Sequence, residues 1–169
     1  MDPILDKARS GQNALERLAS AIPGFRGYRE RELRRDADRL QREYLATRLD
    51  GNKKALNDLA AAATRGGSLD VINDIETARK RLDKAANRVR YASRGYTGFF
   101  DAVKVDEALL GRLYEFDLQL LERVEAIEAG TTGARSASDV KASVQQVVSE
   151  IDVLDQRLDE REAMLAGVK

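Results

Sequence analysis

The stretch SLDVINDIETARKRLDKAANRVRYAS, from Ser68 to Ser93, decides the fold. Its apolar residues recur as Ile72, Ile75, Ala78, Leu82, Ala85, Val89 and Ala92, in steps of three and four. That rhythm lines one face of a helix and is the seam of a helix packed nearly parallel to its neighbours. Arg65-Gly66-Gly67 breaks the chain ahead of it, and Ser68 is placed to cap its first turn. No period-two strand pattern of any length occurs in the sequence.

The same rhythm extends outward in both directions. A first helix opens with Asp2 as N-cap and Pro3 at the first helical position, and Pro23-Gly24 ends it. Its stripe is Ile4, Ala8, Leu15, Leu18 and Ile22, with Gly11 at the heptad gap, where glycine either weakens the helix or admits a close neighbour. A long helical tract covers about 29–64. Leu33, Ala37, Leu40 and Tyr44 form one stripe there, and Leu45, Leu49, Leu56, Leu59 and Ala63 form another, displaced by about one residue. The change of phase predicts a kink or short break near Asp50-Gly51-Asn52. Beyond the central seam, a helix is expected from Val105 to Ala129. Leu109, Leu113, Phe116, Leu120, Val124 and Ile127 are widened by Leu110, Tyr114, Leu118 and Leu121, an arc broad enough to place this helix at the centre. Gly130 to Ala137 reads as a loop, with Ser136 and Asp139 resembling a capping box. The last helix carries Val140, Val144, Val147, Ile151, Leu154, Leu158 and Leu165. The expectation is therefore one all-α domain over residues 1–169, an up-and-down antiparallel bundle of four or five long helices with coiled-coil-like packing.

Composition narrows the chemistry. The chain has no cysteine and no histidine, which removes thiol chemistry, the commonest general base and the commonest metal ligand. No di-metal Glu-x-x-His pair, calcium loop or phosphate-binding glycine motif is present. No cofactor, metal or small-molecule substrate is implied, and an enzyme is not expected. The 29 basic and 29 acidic residues cancel, so no global field draws the chain to polyanions. The charges are segregated, however. Residues 79–94 carry Arg79, Lys80, Arg81, Lys84, Arg88, Arg90 and Arg94 against Asp83 alone. The helix that follows bears Asp106, Glu107, Glu115, Asp117, Glu122, Glu125 and Glu128. The last helix adds Glu150, Asp152, Asp155, Asp159, Glu160 and Glu162. Basic and acidic helices can pair along their seams, or the basic helix 68–93 can serve nucleic acid or an anionic membrane. With no signal peptide and no apolar run of about 20 residues, the expected location is the cytoplasm.

Aromatic residues are few and grouped. Phe25 and Tyr28 lie in Pro23-Gly24-Phe25-Arg26-Gly27-Tyr28, and Tyr96, Phe99 and Phe100 lie in Arg94-Gly95-Tyr96-Thr97-Gly98-Phe99-Phe100-Asp101. Alternating helix directions bring both loops to one end of the bundle and the small-residue loops to the other. The rings either plug that end or form a partner-binding patch, for which Phe25, Arg26, Tyr28, Arg94, Tyr96, Phe99 and Phe100 are the candidate residues. The two loop motifs, with Arg34-Arg35 and Ala37-Asp38 after the first, resemble signatures of uncharacterised bacterial all-helical proteins. That resemblance implies no activity or ligand. The function expected is a non-enzymatic interaction or scaffold module that binds another protein or itself, with spare apolar positions such as Leu110 and Leu121 available to seal a dimer. The alternative is a peripheral binder of polyanions.

Overall fold

Residues 2–91, 99 and 105–167 are described in the computed structural model of the chain, and among them there is no strand. Helix α1 (Pro3–Ala21) begins as its sequence requires: the Asp2 carboxylate accepts from the Ile4 amide at 3.0 Å, and Pro3 occupies a position whose missing N–H costs nothing. A single 3-10 turn (Arg31–Leu33) leads into α2 (Arg34–Arg65). Helices α3 (Leu69–Tyr91), α4 (Glu107–Ala134) and α5 (Val140–Ala166) follow.

Four helices close a ring, α2 against α3, α3 against α5, α5 against α4 and α4 against α2. Side-chain pairs give their directions. Arg48 meets Glu128 and Arg135 meets Asp58, so α2 and α4 run the same way. Arg81 meets Asp152 and Arg88 meets Asp155, so α3 and α5 run together, opposed to the first pair. These four form the up-and-down bundle expected from the seams. Helix α1 lies outside the ring, packed against α4 and pointing the same way, since Gly11 meets Gly111 and Arg17 meets Glu122. The alternation of directions expected along the chain therefore fails between α1 and α2, which run the same way; the loop after Ile22 doubles back, and Tyr28 returns to the level of Tyr114, whose hydroxyl accepts from its amide at 3.0 Å.

The contact at Gly11 explains the glycine in the α1 stripe. A Cβ there would sit 2.6 Å from the Gly111 Cα, so the two backbones approach as only glycine permits. The central position expected of α4 is observed; it touches α1, α2 and α5. Leu110 and Leu121 are both buried within this single chain, so these two are core residues and are not the spare positions expected to seal a dimer.

Three further sequence expectations need correction. Helix α2 runs unbroken through Asp50-Gly51-Asn52. Its buried face keeps one phase, Arg34, Asp38, Gln41, Leu45, Leu49, Asn52, Leu56 and Leu59. The apparent phase change arose because the first half of that face is polar. Helix α4 extends through Gly130-Thr131-Thr132-Gly133 to Ala134. Thr131, fully buried, donates to Asn52 Oδ1 at 2.7 Å, and Gly130 leaves room for Val147, whose Cγ2 would lie 2.9 Å from an added Cβ. The cap of α5 is Asp139, which accepts from the Ala142 amide at 3.0 Å, and Ser136 lies in the loop ahead of it.

Candidate functional site

Apart from Asn52 and Thr131, the buried polar residues among those described gather at one end of the bundle, where α2 and α4 begin and α3 and α5 finish. Arg161, on α5, falls between Leu158 and Leu165 in the seam and is 2% exposed. Its Nε donates to Asp117 Oδ1 of α4 at 2.6 Å, and its Nη2 donates to Asp38 Oδ1 of α2 at 2.8 Å. Tyr28, from the doubled-back loop, donates its hydroxyl to Asp117 Oδ2 at 2.5 Å. Arg42 donates from Nε to Asp38 Oδ2 at 2.7 Å, and from Nη1 to the carbonyls of Val89 and Arg90 at the end of α3. One network thus ties the loop, α2, α3, α4 and α5 together.

Both oxygens of each carboxylate accept a hydrogen bond, which is the pattern of ionised Asp38 and Asp117. Among the described residues, these carboxylates face the guanidinium groups of Arg42 and Arg161. The electrostatics of the cluster follow from burial. Burial pushes the Asp117 carboxyl up from its ordinary value, against the opposing pull of Arg161 and the Tyr28 hydroxyl. Burial presses on the Arg161 guanidinium in the opposite sense, but Asp117 and Asp38 reverse this and hold it well above its ordinary value. The Tyr28 phenol is raised well above its ordinary value, first by burial and then by Asp117. It is a neutral donor.

Around the network lie the aromatic rings. Tyr28 stacks on Tyr114 with centroids 5.8 Å apart and meets Phe25 and Phe99 edge-on at 5.5 and 6.0 Å. Arg34 donates to the Tyr28 carbonyl at 2.8 Å and lies over the Phe99 ring. Gly27, at φ +92°, makes the turn that delivers Tyr28. Gln41 is fully buried on the same face of α2, with both amide atoms unpartnered.

Of the candidate partner-binding residues, the structure brings Phe25, Tyr28 and Phe99 together in the interior, at 3%, 0% and 0% exposure. These three rings plug the end of the bundle and offer no surface while it is closed. Arg26 is exposed on the loop. Arg94, Tyr96 and Phe100 lie outside the described residues. Tyr28 is at the centre of the network. Asp117 was grouped with the acidic flank of α4 and is a fully buried member of the network. Arg161 and Arg42 are absent from the sequence reading, and Arg34 enters it only within the motif that carries the resemblance. Their signal was position, because each fills a seam step that the apolar stripes left vacant.

The flanking charges pair helix with helix, as their segregation allowed. Arg81 bonds Asp152, Arg88 bonds Asp155 and Asp159, Arg90 bonds Asp50, and Arg123 bonds Glu150. No helix among the described residues is long and apolar enough to cross a membrane. Comparison with known proteins finds no matching family model, no matching curated protein and no matching solved structure.

Proposed function

We propose that the chain is a non-catalytic interaction or scaffold module of the cytoplasm that docks a protein partner through the network end of the bundle. One observation carries this reading. Of the five large apolar side chains that stand exposed among the described residues, Ile4, Leu5, Leu33 and Tyr91 share that end and Leu69 lies at the other. Exposed apolar and aromatic side chains grouped at one pole favour protein contact. Two further features fit. The groups best suited to acid-base work, Tyr28, Asp117 and Asp38, are sealed from solvent and engaged with one another. The polyanion alternative is disfavoured because Arg81, Arg88 and Arg90 of α3 already hold carboxylates.

The test uses affinity capture from native cells, with nuclease present, comparing the unaltered chain with Ile4→Asp/Tyr91→Asp. The expected result is a protein partner held by the first and lost by the second, with no binding to duplex DNA or anionic vesicles at moderate salt. Binding to either polyanion with a steep salt dependence, lost on Arg88→Glu, would overturn the reading in favour of the alternative.

A further inference from the structure

The two halves of the bundle have unlike cores. Toward the small-residue loops the interior is Leu49, Leu56, Ile75, Val124, Val147 and Ile151, with one polar pair, Asn52 and Thr131. Toward the other end, Arg34, Asp38, Gln41, Arg42, Asp117 and Arg161 take up seam positions. An apolar core weakens gradually as contacts are lost. A buried ionic cluster does not, because removing one member leaves another charged and unpaired. Gln41 adds to the imbalance, for it holds two unpartnered polar atoms where the halves meet.

We infer that the ionic network is a latch, and that the network end opens as a unit while the apolar half stays folded. The boundary falls at Gln41. On the closed side, Arg161 reaches both Asp38 and Asp117, Tyr28 fastens the loop to Asp117, and Arg42 holds the last carbonyls of α3. Release of Arg161 removes the cation that bridges Asp38 of α2 and Asp117 of α4. The Tyr28–Asp117 bond that fastens the loop from Pro23 to Leu33 then rests on a carboxylate without its guanidinium, and as the end opens the rings of Phe25, Tyr28 and Phe99 become accessible. Local opening of this kind is drawn from the least robust part of a fold, and here that part coincides with the buried charges. The inference concerns the chain alone and does not depend on any partner.

Amide hydrogen exchange on the full chain tests it. In Arg161→Met, exchange at the Tyr28 amide and the first two turns of α2 is expected to rise roughly a hundredfold or more, with little change at residues 52–64 and 120–130. Fluorescence of an apolar dye should rise in parallel. In Tyr28→Phe/Asp117→Leu/Arg161→Met, which removes the cluster's central charges in balance, exchange at the same amides is expected to return to the unaltered rate or below. A uniform rise along the chain in Arg161→Met, no rise anywhere, or failure of that variant to fold would each overturn the latch. So would a triple variant whose network end exchanges as fast as that of the single one.

Discussion

The two glycines that face each other between α1 and α4 are not equivalent, and alanine at each separates the packing from the propensity. Glycine in a helix interior costs about 0.5–1 kcal/mol relative to alanine, so Gly→Ala with open space should stabilise. Gly51 is the reference: it lies inside α2, is exposed, and has nothing within 4 Å of an added Cβ. Gly51→Ala is expected to raise Tm by about 2–4 °C for each kcal/mol gained. At Gly111 the added Cβ would lie 3.6 Å from the Gly11 Cα, an ordinary contact, so Gly111→Ala should also gain. At Gly11 the Cβ would lie 2.6 Å from the Gly111 Cα and 3.3 Å from its carbonyl carbon and oxygen. Those are backbone atoms and cannot rotate away. Helix α1 must lift, which loosens Ala14 and Leu18, the two other buried residues of its face. Overpacking of this kind costs about 1–3 kcal/mol, which exceeds the propensity gain, for a net loss of about 1–2 kcal/mol. Urea unfolding followed by circular dichroism should order the proteins as Gly51→Ala and Gly111→Ala above the unaltered chain and Gly11→Ala below it. Gly11→Ala as stable as Gly111→Ala would refute the close approach.

Three further perturbations probe the network. Tyr28→Phe strips one donor from the buried Asp117 carboxylate and should cost about 1–3 kcal/mol in urea unfolding; an unchanged midpoint would show that the Tyr28 hydroxyl contributes nothing. Gln41→Met keeps the volume and removes two unpartnered polar atoms, so a gain of about 1–3 kcal/mol is expected, and a loss would show that the amide is satisfied. Raising the pH should destabilise the chain above about 10. There the unfolded state releases the Tyr28 proton while the folded state retains it, so stability present below that pH falls by up to about 1.4 kcal/mol per unit. Tyr114 and Lys53, also raised, act in the same sense. Phenolate absorbance of Tyr28, isolated by comparison with Tyr28→Phe, should appear only together with unfolding; titration of that ring in the folded chain would contradict its burial.

The apolar half was legible because its seams are written in apolar letters. Ile75, Ala78, Leu82, Ala85 and Val89 are buried as spaced, although the seam begins at Val71 and Ile72 is only half-buried. Legibility fails where the seam turns polar. Stepping back from Leu45 by fours and threes reaches Gln41, Asp38 and Arg34, yet an apolar reading prefers Leu33, Ala37, Leu40 and Tyr44, which lie one residue off. That error created a false change of phase and blamed it on Gly51. On α4 the step from Leu113 to Leu120 passes through Asp117, and on α5 the step from Leu158 to Leu165 passes through Arg161. A charged residue in seam phase on each of three helices is what a buried cluster looks like in sequence. It was passed over because charge is ordinarily taken as a sign of exposure. The return of Tyr28 alongside Tyr114 was not legible either, since it depends on α1 lying outside the ring.

Why such a fold would carry ions in its core follows from what apolar seams cannot do. Leu, Val and Ala at heptad spacing pack almost as well after a slip of one heptad, which is about 10.5 Å at 1.5 Å per residue. Such a slip of α5 against α4 would leave Leu154 between Asp38 and Asp117 and carry Arg161 away from both. Asp38 would keep Arg42 and Asp117 would keep the Tyr28 hydroxyl, but each would lose its bond to Arg161, a penalty of the order of the 3–5 kcal/mol that breaking a buried pair exacts. The native pairing incurs no such loss, because each carboxylate finds a guanidinium and both of its oxygens accept. The apolar seams by themselves therefore distinguish registers weakly, whereas the ionic cluster accepts one. This division of labour also confines any opening to the ionic end, since the half that specifies the register is the half with least to hold it closed once a partner charge is gone.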